Sequence, residues 1–517
     1  MLAVVCTLAA GTASCTGSAP RSPAASRRPA AVTVVPAPSA LVLTGAADLI
    51  AARCARALFA SAPVVVVATA HPLAELVLAV AAAERVHAPL LLSQAWSAVR
   101  GAHHADRGGP AASAGQSARR DSPVSASLRA AITALHSHIV LAVGLPARQL
   151  SAGLHGVRVV ASRASLPATL APHPLSGVAL LVRRDTGVAG IAAAATARAA
   201  GVRVIALRGY DPRADPAAIA AMHAANPAHV LAVGAAFGPA ARLAARVAVA
   251  AAGRQLPGGG QVLLPGHRIV ALYGHPGTPS LGVLGQQGLP ASIARARTTA
   301  GWYRRLSPVP VVPAFEIIAT VAQASPGPDG SYSSVTPESA LLPWVREATA
   351  AGMYVVLDLQ PGRASLLGQA KIYQRLLELP NVGLALDPEW KLGPRQRPLR
   401  QIGSVTVGQV NAVISWLAAL TARRHLPQKL LVLHQFRLSM IEGERWIDSR
   451  QDDLAVVIHM DGQGTSSAKQ QTWLSVTGAA PPGVFFGWKN FYVKDHPVLR
   501  PWQTMAHHPQ PVMISYQ

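Results

Sequence analysis

Eight short apolar runs punctuate the second half of this chain, at 268–273, 310–315, 354–357, 382–386, 429–433, 454–458, 484–486 and 511–515. Helical stretches at 337–350, 365–379, 407–424 and 466–477 alternate with them. Eight strands interleaved with helices over about 250 residues is the count and size of a (β/α)8 TIM-like barrel, with no closing eighth helix expected after the last run. A doubly wound open sheet is the alternative.

A barrel places its chemistry at the C-terminal ends of its strands. Tyr273-Gly274-His275 ends the first run, Glu316 the second, Asp358 the third, and Asp387 with Glu389 the fourth. His434-Gln435 ends the fifth, His459 and Asp461 the sixth, and Trp488-Lys489 the seventh. Polar residues after any one buried strand are ordinary, but seven such endings together point to a site. Side chains on a strand repeat with period two, so Asp387 and Glu389 in Leu386-Asp387-Pro388-Glu389-Trp390-Lys391 would point the same way if the strand continued through them.

The first half contains a duplication. Residues 64–93 and 179–208 both read as apolar strand, short polar turn, alanine-rich helix and second apolar strand, offset by 115 positions. Each copy is followed by a further strand with the same ending, Ile139-Val140-Leu141-Ala142-Val143-Gly144 and His229-Val230-Leu231-Ala232-Val233-Gly234. Here the offset falls to 90, which leaves about 25 extra residues in the first copy, assigned to a Gly/Ser/Arg-rich surface loop at 101–126. Parallel β-α-β units in a doubly wound arrangement follow from this order. The pattern, with Ala88-Pro89-Leu90-Leu91-Leu92-Ser93 as its best-matched strand, resembles the cell wall-binding repeat 2 domains of Gram-positive bacteria over residues 40–255. That resemblance implies non-covalent attachment to an anionic wall polymer. The Asp-Ala-Leu usual at the helix start is absent from His71-Pro72-Leu73-Ala74, and two copies stand where the family usually has three.

The 517 residues predict two or three domains, and 50 % hydrophobic with 13 % charged residues excludes a disordered chain. The expected division is a signal with lipobox at 1–15, a flexible tether at 16–38, the repeat region at 39–255, a linker at 256–266 and the barrel at 267–517. Gly11-Thr12-Ala13-Ser14-Cys15 after a short apolar stretch resembles a bacterial lipobox, with Cys15 as the lipidated residue and the membrane as partner through that anchor. An ordinary secretory signal is the alternative, and either implies an extracytoplasmic location. Cys54 is then the one thiol of the folded part, a buried small hydrophobe in an alanine-rich helix. The net charge of +23 attracts polyanions, which for an exported chain means acidic headgroups or wall polymers rather than nucleic acid.

Several carboxylates with eight of the nine tryptophans beyond residue 256 suit a glycan, since two carboxyl groups supply acid and base or nucleophile and indole faces stack on sugar rings. The Asp-x-Glu after the fourth run is similar to the motif of chitinase-like glycoside hydrolases. That similarity implies Glu389 as the proton donor and Asp387 as its partner, although Val382 and Ala385 occupy the positions of two further family aspartates. On the residues alone, Glu316 or Asp461 is an equally good second carboxylate. His275, Asp358, Trp390, His434, Gln435, Trp488 and Lys489 are the substrate-binding candidates. No cofactor is implied. A metal-dependent hydrolase built on His275, Glu316, Asp358, His434 and Asp461 is a rival reading, without the tight H-E-x-x-H or H-x-H spacing such sites use. A non-catalytic glycan-binding barrel is the third.

Overall fold

The computed structural model describes residues 30–93, 124–167 and 169–517. Cys15 and its lipobox, most of the tether and nearly all of the 101–126 loop lie outside the described residues.

The second half is a closed barrel of eight parallel strands: β1 (Arg268–Gly274), β2 (Val311–Ala322), β3 (Tyr354–Leu359), β4 (Val382–Leu386), β5 (Lys429–Gln435), β6 (Leu454–Met460), β7 (Phe485–Asn490) and β8 (Met513–Tyr516). Closure comes from β1, which pairs in parallel with both β2 and β8. The strands read as unbroken apolar runs because both their faces are buried. On β5, Leu430 and Val432 join the inner core, whereas Leu431 and Leu433 face the surrounding helices. Helices Glu338–Ala350, Val407–Arg423 and Ser466–Ala479 lie within a residue or two of their expected bounds, and the stretch expected at 365–379 is divided into Leu366–Ile372 and Gln374–Leu377. Three of their starts are capped by side chains. Ser365 accepts from the Gly368 amide, Thr465 from Ala468, and Thr406 forms a reciprocal capping box with Gln409.

One connection departs from the regular pattern. Between β5 and β6 the described chain has only 3-10 turns, Leu438–Met440 and Glu444–Trp446, and a two-residue strand Ile441–Glu442 that pairs with Val405–Thr406. The loops after β4 and β5 are thereby joined into one lobe above the barrel mouth.

Segment 256–266, expected as a linker, closes the opposite end. Leu256, Leu263 and Leu264 are buried against the barrel interior, and Gln428 Oε1 accepts from the Leu263 and Leu264 amides at 2.9 and 3.1 Å. The repeat region docks at this same end. Arg246 reaches both carboxylate oxygens of Asp452 at 2.8 and 2.6 Å, and the buried Arg213 bridges Asp211 and Asp452.

The repeat region forms two four-stranded parallel sheets, ordered Leu90–Ser93, Val64–Thr69, Ile139–Val143, Arg158–Val160 and Arg203–Leu207, Val178–Arg183, His229–Val233, Ala40–Leu43. The duplication is therefore structural. The strand preceding the first copy completes the sheet of the second, so the copies interlock. Helices Ala47–Leu58 and Val188–Ala199 pack between them, where the free Cys54 thiol is fully buried and pushed up to about 12 by that burial. No helix among the described residues is long and apolar enough to cross a membrane.

Gly383 faces the barrel interior, where an added Cβ would lie 2.6 Å from the Leu430 carbonyl oxygen and 3.1 Å from the Tyr354 ring. Gly383→Ala is expected to lower unfolding free energy by about 2 kcal/mol, measured by urea denaturation.

Candidate functional site

Period two carries the inner face of each strand from apolar to polar at the C-terminal end of the barrel. Ile269 and Ala271 lead to Tyr273 on β1, Val312 and Ala314 to Glu316 on β2, and Tyr354 and Val356 to Asp358 on β3. Ala385 leads to Asp387 just past β4, Leu430 and Val432 to His434 on β5, and Ala455 and Val457 to His459 on β6, with Asp461 just beyond. Phe485 and Gly487 lead to Lys489 on β7, and Met513 to Ser515 on β8. Every one of these polar side chains is buried.

His434 is the hub. Its Nε2 lies 3.0 Å from Glu316 Oε1 and 3.9 Å from Asp358 Oδ1, and its Nδ1 lies 3.3 Å from Asp461 Oδ2. Burial alone would lower the imidazole's pKa, but the Glu316 and Asp461 carboxylates outweigh it and raise the value well above the ordinary 6.5. His434 is held as an imidazolium. The charge acts back on Asp461, whose burial is overcome by the His434 contact, so this carboxyl falls below its ordinary range and stays ionised. The neighbouring His459 is driven the other way by burial and by the charges of His434 and Lys489, and remains neutral with its Nε2 2.8 Å from Ser515 Oγ. Lys489 places its ammonium 3.5 Å from the Tyr273 ring centroid, a cation–π contact, and the Tyr273 hydroxyl donates to Asp358 Oδ2 at 2.9 Å.

Five carboxyl groups thus surround two cations, and they divide by environment. Burial raises Asp358 to about 6, Asp387 well above the ordinary value, and Glu389 to about 7, the last helped by the negative charge of Asp461. Glu316 Oε2, Asp358 Oδ1, Asp387 Oδ1 and Asp461 Oδ1 are buried without a hydrogen-bond partner among the described residues. Buried carboxyl oxygens of this kind call for a proton or a ligand.

The Asp387–Glu389 pair is not arranged as the strand reading expected. β4 stops at Leu386, and Pro388-Glu389-Trp390 forms a 3-10 turn, which Pro388 favours at its first position. Asp387 still enters the polar layer by strand periodicity, but Glu389 is carried up to the mouth, where it is only partly buried. There it lines a cleft of about 410 Å³ with Trp390, Leu392, Arg400 and Arg437. The loop that follows returns to this turn, where the Gly403 amide donates to the Glu389 carbonyl at 2.7 Å. A Cβ on Gly403 would lie 2.6 Å from the Glu389 and Pro388 carbonyl oxygens, so the close return requires glycine.

Of the sequence-predicted residues, Glu316, Asp358, Asp387, His434, Asp461 and Lys489 meet in the buried layer, and Glu389 and Trp390 stand above it. Three lie elsewhere. His275 has both ring nitrogens on threonines, Thr278 at 3.1 Å and Thr336 at 3.2 Å, in the turn after β1. Trp488 faces outward and is fully buried against Trp473 and His507, so its ring presents no face to a ligand. Gln435 also points away from the barrel axis and donates to Glu444 Oε2 at 2.8 Å. Tyr273 and His459, which the sequence places at strand ends without assigning them a role, belong to the layer, and so does Ser515, which sequence reasoning missed and inward periodicity from Met513 signals. Among the described residues no three His, Cys, Asp or Glu side chains form a metal-ligand set.

Because the folded pKa of Glu389 lies above its ordinary 4.5, the unfolded chain releases this proton first as pH rises. Its contribution to stability is complete below about pH 4.5 and is lost as pH rises through about 7. Urea denaturation should therefore show Glu389→Gln gaining on the parent protein between these pH values, by on the order of 3 kcal/mol at most, and an unchanged difference would remove the buried-acid assignment. No family model, no curated protein and no solved structure matches this chain.

Proposed function

We propose that the barrel is a glycoside hydrolase working by carboxylate acid/base chemistry on a glycan of the cell envelope. The observation that carries this reading is the placing of Glu389 at the cleft above a buried layer in which Asp461 lies 3.3 Å from His434, surroundings that push Glu389 up to about 7 and hold Asp461 below its ordinary range. Two carboxyl groups pushed apart in pKa by their surroundings divide into a proton donor and an anion. Glu389 gives its proton to the glycosidic oxygen as the bond to the anomeric carbon breaks, and a donor with pKa near the working pH is the most effective one. The Asp461 carboxylate faces the positive charge that grows on the sugar, and water adds to the anomeric carbon while giving a proton to the Glu389 carboxylate, which restores the acid. His434 is a positioning residue that keeps Asp461 ionised. Asp387 is neutral and supplies a hydrogen-bond donor to a ring substituent.

On this reading the chain is exported and tethered through Cys15, and its repeat region holds an anionic wall polymer, in keeping with the net charge of +23. A second reading, a glycan-binding barrel without turnover, is favoured by one observation: Glu316, Asp358 and Asp387 are closed off from solvent at 2 % exposure or less.

The full chain should release reducing ends from isolated wall glycan. Glu389→Gln should lower that rate about a thousandfold with glycan still bound, and EDTA should leave it unchanged. Binding without release by the parent protein would move the barrel to the second reading, and loss of release in EDTA would assign it to metal chemistry.

A further inference from the structure

The loop at 391–403 is basic throughout. It carries Lys391, Arg395, Arg397 and Arg400 and no acidic residue. Lys391 anchors it, donating through Nζ to the carbonyls of Gly362, Arg363 and Ala364 at 3.0–3.3 Å. The Leu392 amide donates to the Gly362 carbonyl at 2.8 Å, and Gly403 returns to the Glu389 turn at the other end. Arg400 is thus presented at the cleft on a segment tied at both ends. Arg437, from the loop after β5, lines the same cleft.

Six arginines form ion pairs among the described residues, Arg213, Arg246 and Arg424 among them, and Arg400 and Arg437 at the cleft are not of that group. Among the described residues neither the Arg400 nor the Arg437 guanidinium has a hydrogen bond or ion pair, and that of Arg437 lies 5.9 Å from the Phe436 ring centroid. Trp390 lines the same cleft, and its indole N–H is buried without a hydrogen-bond partner among the described residues. Two exposed guanidinium forks without an acidic partner and one indole N–H without a hydrogen-bond partner thus belong to residues lining this cleft, and Glu389 is the one carboxyl group among them.

We infer that this wall binds an oxyanion carried by the sugar beside the scissile bond, so that the glycan taken by the barrel is an acidic one. A guanidinium fork matches a carboxylate or a phosphate in two parallel hydrogen bonds, and both chemistries fit the wall. The Trp390 N–H serves a hydroxyl or a third oxygen of the same group. Calling the bound anion part of a substrate rests on the glycosidase reading; the anion site itself does not.

The test is equilibrium binding at fixed ionic strength to the full chain carrying Glu389→Gln, which isolates recognition from turnover. The probes are an oligogalacturonate, a glycerol phosphate oligomer and a neutral chitooligosaccharide. At least one anionic probe should bind more tightly than the neutral one, and the tighter of the two identifies the group as carboxylate or phosphate. Arg400→Ala and Arg437→Ala should each weaken it about tenfold and leave the neutral probe unchanged. Arg305→Ala removes the same charge ahead of β2, at the far end of the barrel, and serves as control. Equal binding of charged and neutral probes, or an Arg305→Ala loss as large as that of Arg400→Ala, would overturn the inference. Arginine-dependent anion binding by a chain whose unsubstituted form cleaves nothing would retain the site and discard the glycosidase.

Discussion

The imidazolium of His434, clamped between Glu316 and Asp461 in the dry top of the barrel, is the interaction on which the rest of the site depends. An unpaired charge at such depth is costly, and removing one member of a buried pair is more costly than never having formed it. His434 contacts carboxylates from β2 and the end of β6, and lies within 3.9 Å of a third from β3. One side chain therefore ties the neighbouring strands β5 and β6 to β2 and β3 across the barrel. Its charge is also what separates the carboxyl groups. Asp461, in contact with it, is ionised, while Glu389, nearer the mouth and repelled by Asp461, keeps its proton toward neutral pH.

The two ends of the barrel have different work. The N-terminal end is sealed by the leucines of 256–266 and fastened to the repeat region through Arg213, Arg246 and Asp452. It is a stability face. The C-terminal end carries the polar layer, the cleft and the paired loops, and remains open above Glu389. Interlocked sheets in the repeat region and ion pairs at the junction give the barrel a fixed base, which leaves the loops after β4 and β5 as the elements that shape ligand access.

Much of this was legible in the residues. The parallel strands announced themselves because both faces are buried and the runs are therefore unbroken, and the duplication survived as two sheets of the same order. The misreadings have physical causes. β2 runs on to Ala322 rather than ending before Glu316, because a charged residue inside a strand is tolerated when a buried imidazolium meets it. His434 lies 118 positions away, and no local pattern reveals such a partner. The strand expected to run through Asp387 and Glu389 gives way to a 3-10 turn at Pro388, which separates one carboxyl from the other in height. Trp488 was counted toward the mouth by its place in sequence, yet its parity with Phe486 turns it outward. The basic wall at 391–403 could be seen as composition; its position beside Glu389 could not.

The proposed chemistry rests on a fold that holds Glu389 protonated near neutrality with the help of Asp461. Carbon-13 carboxyl titration of Glu389 in the full chain, assigned with Glu389→Gln and repeated in Asp461→Asn, tests it directly. The expected midpoint is near 7 and falls when Asp461 loses its charge. A midpoint near the ordinary 4.5, or one indifferent to Asp461, would contradict it.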